Sequence, residues 1–228
     1  MVHETRHRFH DELAALESEI LGMGDRATMA VSNAVQALAH KDEALAKEVV
    51  ENDDAVDATY IDIEQRILAL LATQTPVASD LRLVSAILHM NLHLERVGDQ
   101  AVNIAKLARI TIDLPANDTV ISHLEEMGDV ACAMLGTAME AFARRDAELA
   151  ARLPDMDEPL DRLNRNMYRE IVELMQDPPQ LEWGIRMNVV ARQLERVGDH
   201  AVDIGEQVAF LLTGQFREFT DASHPVER

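Results

Sequence analysis

Glu95 and Asp99 stand four residues apart. On a helix that spacing puts both carboxylates on one face, about 6 Å apart along the axis, and Asn103 extends the row by another turn. A hundred positions later the row is Glu195, Asp199 and Asp203, three carboxylates in line. Asp53 with Asp57 and Asp157 with Asp161 repeat the same spacing. Like charges so placed destabilise a helix by roughly 0.2–0.5 kcal/mol per pair. A carboxylate within an apolar stripe must be paired, protonated or metal-bound, because an isolated buried one is very costly. Several carboxylates with few nitrogen or sulfur donors suit hard or borderline cations such as Mg, Mn or Fe, alone or in clusters. The competing reading is a salt-bridged surface in which Arg96 and Arg196 neutralise the acids beside them. The residues by themselves leave both readings open.

The elements that carry these acids are helices. Leu13, Leu16, Ile20, Met23, Ala27, Val31, Ala34 and Leu38 advance by threes and fours, the apolar face of one long helix. Val49, Val56, Tyr60, Ile63, Ile67 and Leu70 mark a second. Ile87, Met90, Leu94, Val97, Ala101, Ile104 and Ala108 mark a third. Asp53 falls inside the second stripe and Asp57 at its flank, while the Glu95 row lies about 100° from the third stripe, at its edge. No stretch alternates with period two. Thr75-Pro76, the 113–118 segment and Asp177-Pro178-Pro179 punctuate the pattern, and the tail from Asp221 to Arg228 is expected to fray. Six long helices are expected, at about 8–40, 42–73, 77–112, 119–143, 146–176 and 181–213.

The two halves are related. A shift of 104 superimposes Met23-Gly24-Asp25 on Met127-Gly128-Asp129 and pairs Asp42, Asp53 and Asp57 with Asp146, Asp157 and Asp161. A shift of 100 superimposes Leu94-Glu95-Arg96-Val97-Gly98-Asp99 on Leu194-Glu195-Arg196-Val197-Gly198-Asp199. The chain therefore reads as all-α, two tandem pseudo-symmetric three-helix bundles, residues 1–114 and 115–228. The four positions lost between the two shifts are assigned to the connection before the third helix of the second bundle. A unit of about 110 residues can enclose its own core.

Composition narrows the function. With 41 acidic against 21 basic residues the formal charge is −20, which repels nucleic acid and anionic lipid. Hydrophobic residues at 47% exclude a disordered chain, and the 4% aromatics with few glycines suit helices. Cys132, the single cysteine, allows no internal disulfide, and neither a secretory h-region nor a bilayer-spanning stretch is present, so a cytoplasmic protein without direct membrane insertion is expected.

The doubled helix Leu94 to Ile104 and Leu194 to Ile204, with Gln74-Thr75-Pro76 to Arg82, Phe9 to Leu13 and Met23-Gly24, resembles the PhoU family over residues 6–214. The resemblance implies paired three-helix bundles, commonly dimeric, that bind multinuclear metal clusters. It assigns Asp53, Asp57, Glu95, Asp99, Asp157, Asp161, Glu195 and Asp199 as ligands, with Fe, Mn, Mg or Zn as the metal. It also implies a non-enzymatic negative regulator of phosphate uptake that links a phosphate ABC transporter to a sensor histidine kinase, as a homodimer. Pro159 departs from the pattern: the first repeat has Ala55 there, so the fifth helix is expected to start or kink at this point with Asp157 as its cap.

Other residues point less far. His89 and His93 are spaced like zinc ligands, but their counterparts are Val189 and Gln193, which favours structural histidines. Glu4 to His7 matches a di-iron element once, at a terminus, where chance explains it. Cys132 and Trp183 read as packed residues. The sequence has no Walker-type loop, nucleophile elbow or cysteine pair, so no catalytic residue is assigned. The alternatives are a carboxylate-bridged metal oxidase or metal-storage helical protein, and a metal-free helical scaffold.

Overall fold

The same turn is built twice. Lys41 and Arg145, 104 positions apart, both adopt left-handed backbone, at φ 54° and 55°. The next residue is in each case an aspartate that caps the following helix. Asp42 accepts from the Leu45 N–H at 3.0 Å and Asp146 from the Leu149 N–H at 2.9 Å.

A computed structural model describes residues 2–173 and 178–219. Its helices are α1 (Val2–His40), α2 (Glu43–Thr73), α3 (Ala78–Ile110), α4 (Asp118–Arg144), the single turn α5 (Ala147–Ala150), α6 (Leu153–Glu173) and α7 (Pro178–Thr213). No strand occurs among the described residues. Helices α1, α2 and α3 pack on one another as the first bundle, and α4, α6 and α7 as the second, with α5 against α4 and α7. The stripe from Leu13 to Leu38 is buried along its length, as are Trp183 and the other large apolar residues of the core. The expected fraying of the tail, the Glu4–His7 side chains and the four-residue deletion before α7 lie outside the described residues.

The fifth expected helix is divided, but not at Pro159. The break falls at Ala151 and Arg152, and α6 runs through Pro159. Pro154 is the physical reason. Its ring would collide with the carbonyl of Ala150 if the helix continued, yet it fits a first turn, whose N–H groups are unpaired in any case. Asp157 therefore lies inside α6 and is not its cap. Burial of Leu153, Leu160, Met167 and Ile171 offsets what the internal proline costs.

The bundles meet along α1–α4 and α3–α7, and their apolar interiors form one continuous core. The α1–α4 contact is reciprocal. A Cβ on Gly24 would lie 2.7 Å from Met139 Cε, and a Cβ on Gly128 would lie 3.0 Å from Val35 Cγ2. Shifting Gly24 and Val35 by 104 gives Gly128 and Met139. The two contacts are thus mates across a pseudo-twofold axis.

Candidate functional site

Helix α3 carries Glu95 and Asp99 past α2, which carries Asp53 and Asp57. Gly98 lets the two helices close: a Cβ there would stand 3.2 Å from Asp53 Oδ1 and 3.4 Å from Val56. Asp53 also lines a groove of about 230 Å³ whose walls include Met29 of α1, Val49 of α2 and Val102 of α3. Burial first, then the charges of Asp57 and Asp99, pushes its carboxyl up to about 6. Glu95 is raised as well, by burial and then by Asp99, with Arg96 opposing. Its Oε2 is buried without a hydrogen-bond partner, and the nearest guanidinium nitrogen on it is Arg96 Nε at 3.6 Å. Asp57 and Asp99 face solvent. The four acids of the first half lie near enough to feel one another's charge.

The second half repeats the arrangement with more neutralising charge. A Cβ on Gly198 would stand 2.7 Å from Asp157 Oδ1 and 2.6 Å from Leu160, so the side chains of α6 press closer on Gly198 than those of α2 do on Gly98. Asp157, Asp161, Glu195 and Asp199 open onto a cleft of about 810 Å³, with Glu158, Asp203, Glu206 and Glu218 also on its wall. Arg165 and Arg192 are the cations there. Arg165 reaches Glu158 at 3.0 Å and Asp161 at 3.4 Å, and Arg192 donates to Glu195 Oε1. Glu195, only 8% exposed, is pushed up to about 7 by burial and then by Asp199, against the pull of Arg192. Asp199 is raised by desolvation, resisted by Arg192. Glu195 Oε2 is buried with no hydrogen-bond partner. The arginines that matter here are Arg165 and Arg192, whose i,i+4 and i,i+3 spacing to Asp161 and Glu195 was the signal in the sequence.

Buried carboxylate oxygens without donors, held beside other acids, are satisfied by a bound proton or by a cation. The sets are open. Among the described residues, only one group of three candidate ligands brings its ligand atoms within 4.8 Å of one another, and it includes none of these eight acids. Wide oxygen-lined sites suit cations that keep water or bridge in clusters.

The family model of the PhoU domain matches the chain twice, at residues 20–108 and 124–208. The chain belongs to the PhoU family. The two PhoU matches correspond to the two bundles. A Pseudomonas putida relative, named a phosphate-specific transport system accessory protein PhoU homolog, is 34% identical over 98% of this chain and 86% of its own. The crystal structure of PhoU from Pseudomonas aeruginosa superimposes with a TM-score of 0.85 at 34% identity, covering 91% of this chain and 100% of that one. The phosphate transport system regulatory protein PhoU from Streptococcus pneumoniae gives 0.82 at 31%, covering 92% and 99%.

The tight group of three in this PhoU-family chain is His93, His200 and Asp203, where α3 meets α7. Burial lowers the pKa of His93, with Asp203 opposing. His89 is exposed, its Nδ1 lies 2.7 Å from the Ser85 carbonyl, and it is not part of the group of three. Cys132 is half-buried and its thiol is pushed up to about 11, chiefly by burial, which leaves it unreactive.

Proposed function

We propose that the chain is a cytoplasmic, non-enzymatic negative regulator of phosphate uptake and phosphate-responsive signalling. In this reading it couples a phosphate ABC transporter to a sensor histidine kinase and works as a homodimer. Asp53, Asp57, Glu95 and Asp99 hold one multinuclear metal cluster, and Asp157, Asp161, Glu195 and Asp199 hold a second, with Fe, Mn, Mg or Zn as the metal. Bound cations would supply fixed positive charge to surfaces otherwise rich in carboxylate, and the long helices would present those surfaces as rigid faces to partners.

The observation that carries the reading is the doubled acid set. Glu95 and Glu195 occupy equivalent places, each with a buried oxygen lacking a hydrogen-bond donor and a carboxyl raised by its surroundings. The names of the relatives as transport accessory and regulatory proteins supply the physiological context. The division into units 1–114 and 115–228 belongs to the same proposal and rests on the repeated signature.

The test is phosphate uptake in a strain of the native host lacking the gene. Uptake at high phosphate should rise and be restored by the wild-type chain. It should not be restored by a chain with E95Q, D99N, E195Q and D199N whose melting in chelator matches the wild type. Uptake unaffected by the deletion would end the regulatory reading. Full restoration by the variant would separate regulation from metal.

A further inference from the structure

His93 comes from the first bundle, and His200 and Asp203 from the second. His93 Nδ1 lies 3.3 Å from His200 Nδ1 and 3.3 Å from Asp203 Oδ2, and His200 Nδ1 lies 3.6 Å from the same oxygen. A tetrahedral zinc ion with bonds of ~2.0–2.1 Å separates its ligands by about 3.3–3.4 Å along each edge. The three atoms therefore already form one face of such a tetrahedron. Without a cation a single Nδ1–H can bridge the two neutral imidazoles, and the other ring's nitrogen lone pair is left facing the Asp203 carboxylate. The histidine side chains are 18% and 16% exposed and Asp203 is 43% exposed, on the wall of the 810 Å³ cleft. That gives an entry path and a fourth position open to water.

The repeat supplies an independent argument. The shift of 100 maps His93, His200 and Asp203 onto Gln193, Gln100 and Asn103. All three counterparts are amides, and Gln100 and Gln193 each keep a buried amide oxygen without a hydrogen-bond partner. At one of two equivalent places every position carries a metal-ligating side chain, and at the other none carries a good one. We propose that His93, His200 and Asp203 form a single zinc site that ties α3 to α7 across the junction of the bundles, bordering the second carboxylate set but using none of its four acids. Two imidazoles and one carboxylate select zinc over the hard cations that all-oxygen sites prefer.

Co2+ serves as the probe on the full chain after chelation. One equivalent should give the intense visible absorption of four-coordinate cobalt and be displaced by Zn2+, whereas cobalt on carboxylates alone gives only weak six-coordinate absorption. The chain with H93Q, H200Q and D203N reproduces the amide set present at the equivalent place. It should lose the intense band and bind Zn2+ there at least ~10–100-fold more weakly, the penalty that even outer-shell changes bring. A weak spectrum from the wild type, or an intense band retained by the variant, overturns the proposal. Nitrogen NMR of the wild-type imidazoles reads the site without mutation. One equivalent of Zn2+ should move Nδ1 of His93 and His200 together, and unmoved resonances with zinc bound elsewhere overturn it equally.

Discussion

The carboxylate of Asp53 rests against the bare backbone of Gly98, 3.2 Å from where a Cβ would be, and Asp157 rests in the same way against Gly198 at 2.7 Å. The glycine of each signature helix is thus a spacing device. It sets how near the acids of the second helix come to those of the third.

The two glycines should respond differently to alanine. At Gly198 a methyl would meet Leu160 at 2.6 Å and Asp157 at 2.7 Å, while at Gly98 its nearest neighbours are Asp53 Oδ1 at a tight 3.2 Å and Val56 at 3.4 Å. Overpacking costs about 1–3 kcal/mol, of which removing a helical glycine returns up to ~1 kcal/mol. Gly198→Ala should therefore destabilise the chain more than Gly98→Ala does, measured by urea unfolding in chelator. Equal stability of the two variants would refute the spacing argument.

Acid should stabilise the metal-free protein. Asp53 is raised from 3.8 to about 6 and Glu195 from 4.5 to about 7, so in each window the folded chain holds a proton that the unfolded chain has released. Below the ordinary values both states are protonated and no penalty exists, and above the raised values the whole penalty is present. Stability from these groups therefore falls as pH rises through the two windows. The chain with D53N and E195Q lacks them. Its melting temperature in chelator should gain on the wild type as pH rises from about 4 to about 7 and level off above that, and a gap independent of pH would contradict the assignment.

Helix positions and the repeat were legible because both rest on local periodicity and on identities such as Leu94 to Asp99. The placement of Asp53 and Glu95 at the margin of the core was legible for the same reason. The division of the fifth helix was not, because two prolines stand five residues apart and only Pro154 falls at the break, while α6 runs through Pro159. Nor was the pairing of His93 with His200. Periodicity treats one helix at a time, and the two residues occupy different places in the repeat. Only the pseudo-twofold axis, visible once α3 lies against α7, brings non-equivalent positions together.

Neutralising one acid row should separate metal from fold. With E95Q and D99N the repulsion along α3 is relieved, so the metal-free chain should be as stable as the wild type or more so, by tenths of a kcal/mol. The stabilisation that added Mn2+ or Fe2+ gives the wild type, which follows RT ln(1 + [L]/Kd), should shrink. Melts with chelator and with metal, beside elemental analysis, read both effects. Equal destabilisation under both conditions would assign Glu95 to its ion pair with Arg96.

The isolated first half should be a dimer. In the full chain Gly24 and Val35 of α1 meet Met139 and Gly128 of α4, and the two contacts exchange under the shift of 104. A surface that pairs with its own repeat has the self-complementary form of a twofold interface, in which residue i meets j and j meets i. Released from the second half, residues 1–114 would expose Val35 and the α3 face that packs on α7, both buried in the intact chain. A second copy can cover them, Val35 of each against Gly24 of the other. Sedimentation equilibrium of residues 1–114 should give a folded dimer, and Val35→Arg, which puts a charge into that contact, should shift it towards monomer. A wild-type half that is monomeric and cooperatively folded would show instead that each bundle closes its core without the other.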